Sequence, residues 1–142
     1  MNMINPNEKN IFMGQIGHDK DLLEELTSIC KDNNITLGKI EAIGAVQKGE
    51  VGYYDQKEKI YLTNSFNAPM EILTCNGNIS LLNETPMVHA HITFANRDGS
   101  TCGGHLLTGT KVFACEYIIY QFTNATSLNR TKEKITGLNL WK

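Results

Sequence analysis

Apolar and polar residues alternate with a period of two along Val88-His89-Ala90-His91-Ile92-Thr93-Phe94, the pattern of a half-buried β-strand. Val88, Ala90, Ile92 and Phe94 then share one face, and His89, His91 and Thr93 share the other. Similar runs predict strands at 11–16, 36–46, 51–54, 60–62, 70–75, 79–82 and 111–122, with a short closing strand at 137–141. Gln47-Lys48-Gly49-Glu50 and Asp55-Gln56-Lys57-Glu58 read as turns, and the hydrophilic stretch 124–134 reads as a surface loop. One segment has a helical period instead. Leu22, Leu23, Leu26, Ile29 and Cys30 make one stripe, Asp21-x-x-Glu24 fits a capping box, and Asn33-Asn34 ends the helix.

One helix followed by many strands predicts a single α+β domain over residues 1–142, built on a strongly curved, mainly antiparallel sheet. Within the last long strand, Val112, Ala114, Glu116, Ile118 and Tyr120 share one face, and Phe113, Cys115, Tyr117, Ile119 and Phe122 suggest a largely apolar opposite face. A strand apolar on both faces needs cover on both, and a neighbouring subunit is one supplier.

Composition narrows the class. The 142 residues are 41% hydrophobic and 20% charged, enough to bury a core without staples. No apolar run is long enough to span a bilayer, and the opening MNMINPNEKN does not read as a signal peptide. Four cysteines without a CxxC pairing read as free thiols in a reducing cytoplasm. The net charge is −2, the pI is about 6.1, only Arg97 and Arg130 are arginines, and the lysines are scattered. Neutralising duplex phosphates takes clustered cations, so tight DNA binding is not expected.

The histidines carry the candidate chemistry. His89 and His91 stand about 6.5–7 Å apart along one strand face. The turn signal Asn96-Arg97-Asp98-Gly99 sends the chain back through Gly103-Gly104 to His105. Paired glycines in a strand mark a bulge or a close backbone approach. Three neutral imidazoles with one position left open are the ligand set of a catalytic zinc site, although nickel, copper and iron accept the same donors. The same spacing also fits two polar residues on a solvated strand face and an ordinary loop histidine. Thr93, Gly103 and Gly104 adjoin the three. Glu71 and Glu116 are candidates to orient a histidine or move a proton, and they suit surface or interface ion pairs equally well. Cys102 is read as a packed thiol and His18 as a solvated loop residue.

Phe66–Ile79 (FNAPMEILTCNGNI), Val88-His89-Ala90-His91, Asp98-Gly99 and Gly103-Gly104-His105-Leu106-Leu107 together closely resemble the PPC domain of plants and prokaryotes. The resemblance runs from about Ile11 to Phe122 and includes Gly44 and Gly52-Tyr53-Tyr54-Asp55. It implies an α/β sandwich-like subunit that assembles into a homotrimer. In plants the domain accompanies AT-hook motifs, whose Arg-Gly-Arg-Pro core is absent here. The fold is also similar to that of α-acetolactate decarboxylase, whose zinc is held by a His-x-His pair and a later histidine. That likeness implies Zn²⁺ on His89, His91 and His105, in a polar pocket near a subunit interface. Two functions follow: a metal-dependent enzyme or small-molecule binding protein, or a non-catalytic trimeric module contacting DNA or DNA-associated proteins.

Overall fold

The computed structural model describes residues 4–6 and 8–142. In chain order the elements are β1 (Glu8–Ile16), α1 (Leu22–Asp32), β2 (Gly38–Asp55), β3 (Ile60–Phe66), β4 (Met70–Leu82), β5 (Thr85–Ala95), β6 (Thr101–Leu106), β7 (Lys111–Thr123), β8 (Asn129–Lys132) and β9 (Asn139–Trp141). Among the described residues they form one helix and a nine-stranded sheet in which only the β4–β8 pairing is parallel. The architecture is α+β.

The curvature comes from β2, 18 residues long. Its first half pairs with β4 on one side and β7 on the other. Its second half pairs with β3 and, at Val51 and Gly52, with β6. Because β4 pairs with β5, and β5 with β6, the circuit β2-β4-β5-β6 returns to β2 and the sheet closes on itself. Closure removes edges that would otherwise invite pairing with other chains.

The helix starts where Asp21, with extended backbone angles, accepts a hydrogen bond from the Glu24 amide at 3.0 Å. Its other carboxylate oxygen accepts from the Gly109 amide at 2.5 Å, which ties the cap to the loop before β7. Leu22, Leu26 and Cys30 are fully buried, and the helix packs against β5. Val88, Ala90, Ile92 and Phe94 of β5 enter the same core, with Ile40, Ile72, Ile79 and Ile119 from the flanking strands. The apolar face of the histidine strand is therefore the core face, and the histidines point away from it.

Several sequence expectations need correction. Gln47-Lys48-Gly49-Glu50 is not a turn but the continuous middle of β2, where the strand exchanges one set of partners for another. Asn76-Gly77-Asn78 does not break β4, because Gly77 lets the β5 backbone approach closely at His89 and Ala90. Val112 and Cys115 do not face opposite sides. A register shift opposite Ala45 and Val46 inserts Phe113, so both are buried while Phe113 is 58% exposed. The stretch 124–134 is not all loop. Leu128 is buried, and β8 extends the sheet beside the end of β4. It does so because Arg130 finds its hydrogen-bond partners there.

Candidate metal centre

The β5–β6 hairpin builds the centre. Asp98 accepts from the amide and hydroxyl of Ser100, Gly99 takes a φ of +81°, and Asn96 closes the turn onto Ser100. From there the register runs without a shift and sets His105 directly opposite His91. Gly103 and Gly104 are thus not a bulge. They let β6 lie close between β5 and β2, where a Cβ on Gly104 would stand 2.8 Å from the Gly52 carbonyl oxygen. Gly52, opposite His105, leaves room for the Tyr61 ring, which tilts over the His105 ring at 4.9 Å.

His89, two residues before His91, projects on the same side and completes the group. Ring centroids lie 5.4 Å apart for His89–His91, 4.9 Å for His89–His105 and 5.4 Å for His91–His105. One nitrogen from each ring lies within 4.8 Å of the other two. A tetrahedral ion with 2.0–2.1 Å bonds needs them about 3.4 Å apart, a gap that small side-chain rotations close. Burial, with help from Arg130 and His91, lowers the pKa of His89. Burial and the neighbouring His89, His91 and Arg130 push His105 down to about 4. Both rings therefore favour the uncharged state that a metal requires.

One atom carries the fit. The Nδ1 of His105 is buried and has no hydrogen-bond partner among the described residues. Buried polar atoms are nearly always satisfied, and an exception asks for a missing ion or water. A borderline-soft divalent ion suits three imidazoles, so the donor set and the orphaned nitrogen agree.

The other site candidates separate. Thr93 sits two residues beyond His91 on the same face, opposite Gly103. Glu71 pairs with Ala95, four residues and about 13 Å along the strand from His91. Glu116, on β7, lines a shallow depression with Glu71, Ile43 and Gly44. Among the described residues neither carboxylate hydrogen-bonds an imidazole. Cys102 lies against Met70, and His18 is exposed with Nδ1 on the Phe113 carbonyl.

Arg130 was missed by sequence reasoning. Asn78 and Ser80 share the histidine-facing side of β4, and Asn78 is opposite His89. Ser80 Oγ accepts from Arg130 Nε at 2.7 Å and Asn78 Oδ1 from Nη2 at 2.6 Å, which places Nη2 3.5 Å from His89 Nδ1. Nothing in the short segment NRTK signals this, because four residues are too few to show a period.

The Plants and Prokaryotes Conserved (PCC) domain matches residues 3–123. The chain belongs to that family. The metal-containing protein AF0104 of Archaeoglobus fulgidus is 32% identical, with a TM-score of 0.94 over 100% of this chain and 99% of its own. A plant- and prokaryote-conserved (PPC) protein of Pyrococcus horikoshii is 27% identical, with a TM-score of 0.87 over 100% and 96%. A Bacteroides thetaiotaomicron protein named as a DNA-binding candidate is 30% identical, with a TM-score of 0.88 over 99% and 98%. The expected likeness to the decarboxylase fold also holds. A Staphylococcus aureus protein described as similar to α-acetolactate decarboxylase superimposes at a TM-score of 0.54 with 12% identity, over 84% of this chain and 53% of its own. Among curated relatives, the bifunctional GlmU proteins of two Synechococcus strains are 24% and 25% identical over 93% and 83% of this chain. The PCC chain spans about a fifth of their length.

Proposed function

We propose that this PCC protein holds one divalent transition ion, zinc by preference, on His89, His91 and His105, and presents it to a small molecule. The carrying observation is the buried, partnerless His105 Nδ1 beside two further imidazoles. The 32% identical Archaeoglobus relative, described as metal-containing, supports the reading. A bound ion would supply Lewis acidity, polarising a carbonyl or carboxylate at the open position. The chain's own part is to keep His89 and His105 unprotonated at neutral pH and to brace His105 with Tyr61. Both binding and Lewis-acid catalysis fit this arrangement.

Assembly as a homotrimer belongs to the same reading. Ile11, Met13, Phe113, Ile43 and Leu73 are each more than half exposed, on strands that neighbour one another in the order β1-β7-β2-β4. A cytoplasmic setting fits Cys30, Cys75 and Cys115, which are buried as free thiols and pushed up to about 12, 12 and 11 by burial. Among the described residues no helix is long and apolar enough to cross a membrane. The second reading, contact with DNA or a DNA-associated protein, draws on the name of the Bacteroides relative. A net charge of −2 restricts direct DNA contact to weak, salt-sensitive binding.

The test is elemental analysis of protein purified without a histidine tag and dialysed against zinc. One ion per chain is expected, with occupancy falling sharply in His89→Ala, His91→Ala and His105→Ala, and unchanged in His18→Ala. Stoichiometric metal in all three variants would exclude the assignment.

A further inference from the structure

Folding takes Arg130 out of water without giving it an anion. Its relative exposure is 7%. The ion pairs among the described residues are made by His18, Lys20, Lys39 and Lys111, and none includes Arg130. Its partners are neutral acceptors: Ser80 Oγ, Asn78 Oδ1 and, at 3.1 Å from Nη1, the Asn139 carbonyl. The Trp141 ring lies 5.5 Å from its Cζ. A guanidinium has five N–H donors: one on Nη1 is left over, and the second on Nη2 meets only His89 Nδ1, at 3.5 Å, which accepts it only while that nitrogen carries no proton. A buried charge without a counter-charge is costly, and neutral acceptors recover only part of that cost.

The position of the unused donors matters more than the cost. Arg130 Nη2 lies 3.5 Å from His89 Nδ1. If His89 binds an ion through Nε2, its Nδ1 carries the proton, and two donors face each other across that gap. If it binds through Nδ1, an ion stands almost against a guanidinium. Either arrangement is relieved by a negatively charged oxygen between them.

We propose that the centre takes a small carboxylate, one oxygen towards the metal and the other on the free N–H groups of Arg130. Two N–H groups on one planar fork can converge on a single carboxylate oxygen and leave the second oxygen for the ion, whereas a phosphate brings more charge and more acceptors than remain to be served. Tyr61 over His105 and Trp141 over Arg130 flank the position and suit a short carbon skeleton. Arg130 lies outside residues 3–123, so the family domain supplies the histidines and the C-terminal segment supplies the anion clamp. The proposal rests on the three-histidine reading.

Cobalt(II)-loaded full-length protein provides the test, because its visible spectrum reports a change at the ion. Acetate should shift the wild-type spectrum saturably, acetamide should not, and inorganic phosphate should bind more weakly than acetate. Arg130→Gln should keep one cobalt per chain and bind acetate at least tenfold more weakly; Arg130→Lys should fall between. Should Arg130→Gln not fold, the wild-type comparison of acetate, acetamide and phosphate decides alone. Cobalt uptake without an acetate response, equal acetate affinity in folded Arg130→Gln, or preference for phosphate overturns the proposal while leaving the metal centre standing. Failure of the wild type to take up cobalt removes both.

Discussion

His105 offers a way to weigh what the site costs the fold. Consider His105→Phe in metal-free protein, a change that keeps a planar ring under Tyr61 and removes both nitrogens. At pH 7 the wild type leaves Nδ1 buried and unpaired, a loss of about 1–3 kcal/mol for such an atom. The variant should therefore be as stable as the wild type, or up to about 1–2 kcal/mol more stable. Acid adds a second difference. The unfolded chain protonates this histidine near 6.5, whereas burial and the neighbouring cations hold the folded one to about 4. Between those values the unfolded state binds more protons, so the wild type loses stability as pH falls through that window. From pH 7 to 5.5 the loss is about 1 kcal/mol, allowing for water at the partly open ring. His89, shifted the same way by burial, adds to it, so the variant should show a shallower slope rather than none. Urea unfolding at pH 7, 6.2 and 5.5 in the presence of chelator measures both terms. A variant more than about 1 kcal/mol less stable at pH 7, or one with the wild-type slope, would refute the reasoning.

Three further outcomes are expected. Asp21→Ala strands the Glu24 and Gly109 amides together and should cost about 2 kcal/mol in denaturant unfolding, with metal content unchanged. Light scattering at micromolar concentration should give three times the 15.9 kDa chain mass, and Met13→Lys should shift it towards the monomer. Binding to a defined DNA duplex should be weak, independent of sequence and abolished by moderate salt; a footprint at physiological ionic strength would contradict the charge argument.

The histidine strand, its hairpin and the capped helix could be read from the chain because each follows a local rule. The alternation along Val88–Phe94 put both histidines on the outer face, and Asp98-Gly99 announced the reversal that brings His105 back. What could not be read depended on partners distant in sequence. β2 passes through Gln47–Glu50 because new strands take over its hydrogen bonds there, and no local signal separates that from a turn. Phe113 is set outward by a mismatch with β2. Glu71 was attractive only as a carboxylate, and the register that sets it opposite Ala95, four residues from His91, is a property of the assembled sheet. Arg130 was hidden for the opposite reason: its surroundings look polar and loop-like until Asn78 and Ser80 of β4 grip it.

The central claim is that His89, His91 and His105 share one ion. Crystals of tag-free protein grown with zinc, measured on both sides of the zinc absorption edge, test it most directly. The account predicts an anomalous peak about 2.0–2.1 Å from one nitrogen of each of the three rings. A map with no peak there, or with zinc held elsewhere on the chain, would contradict it.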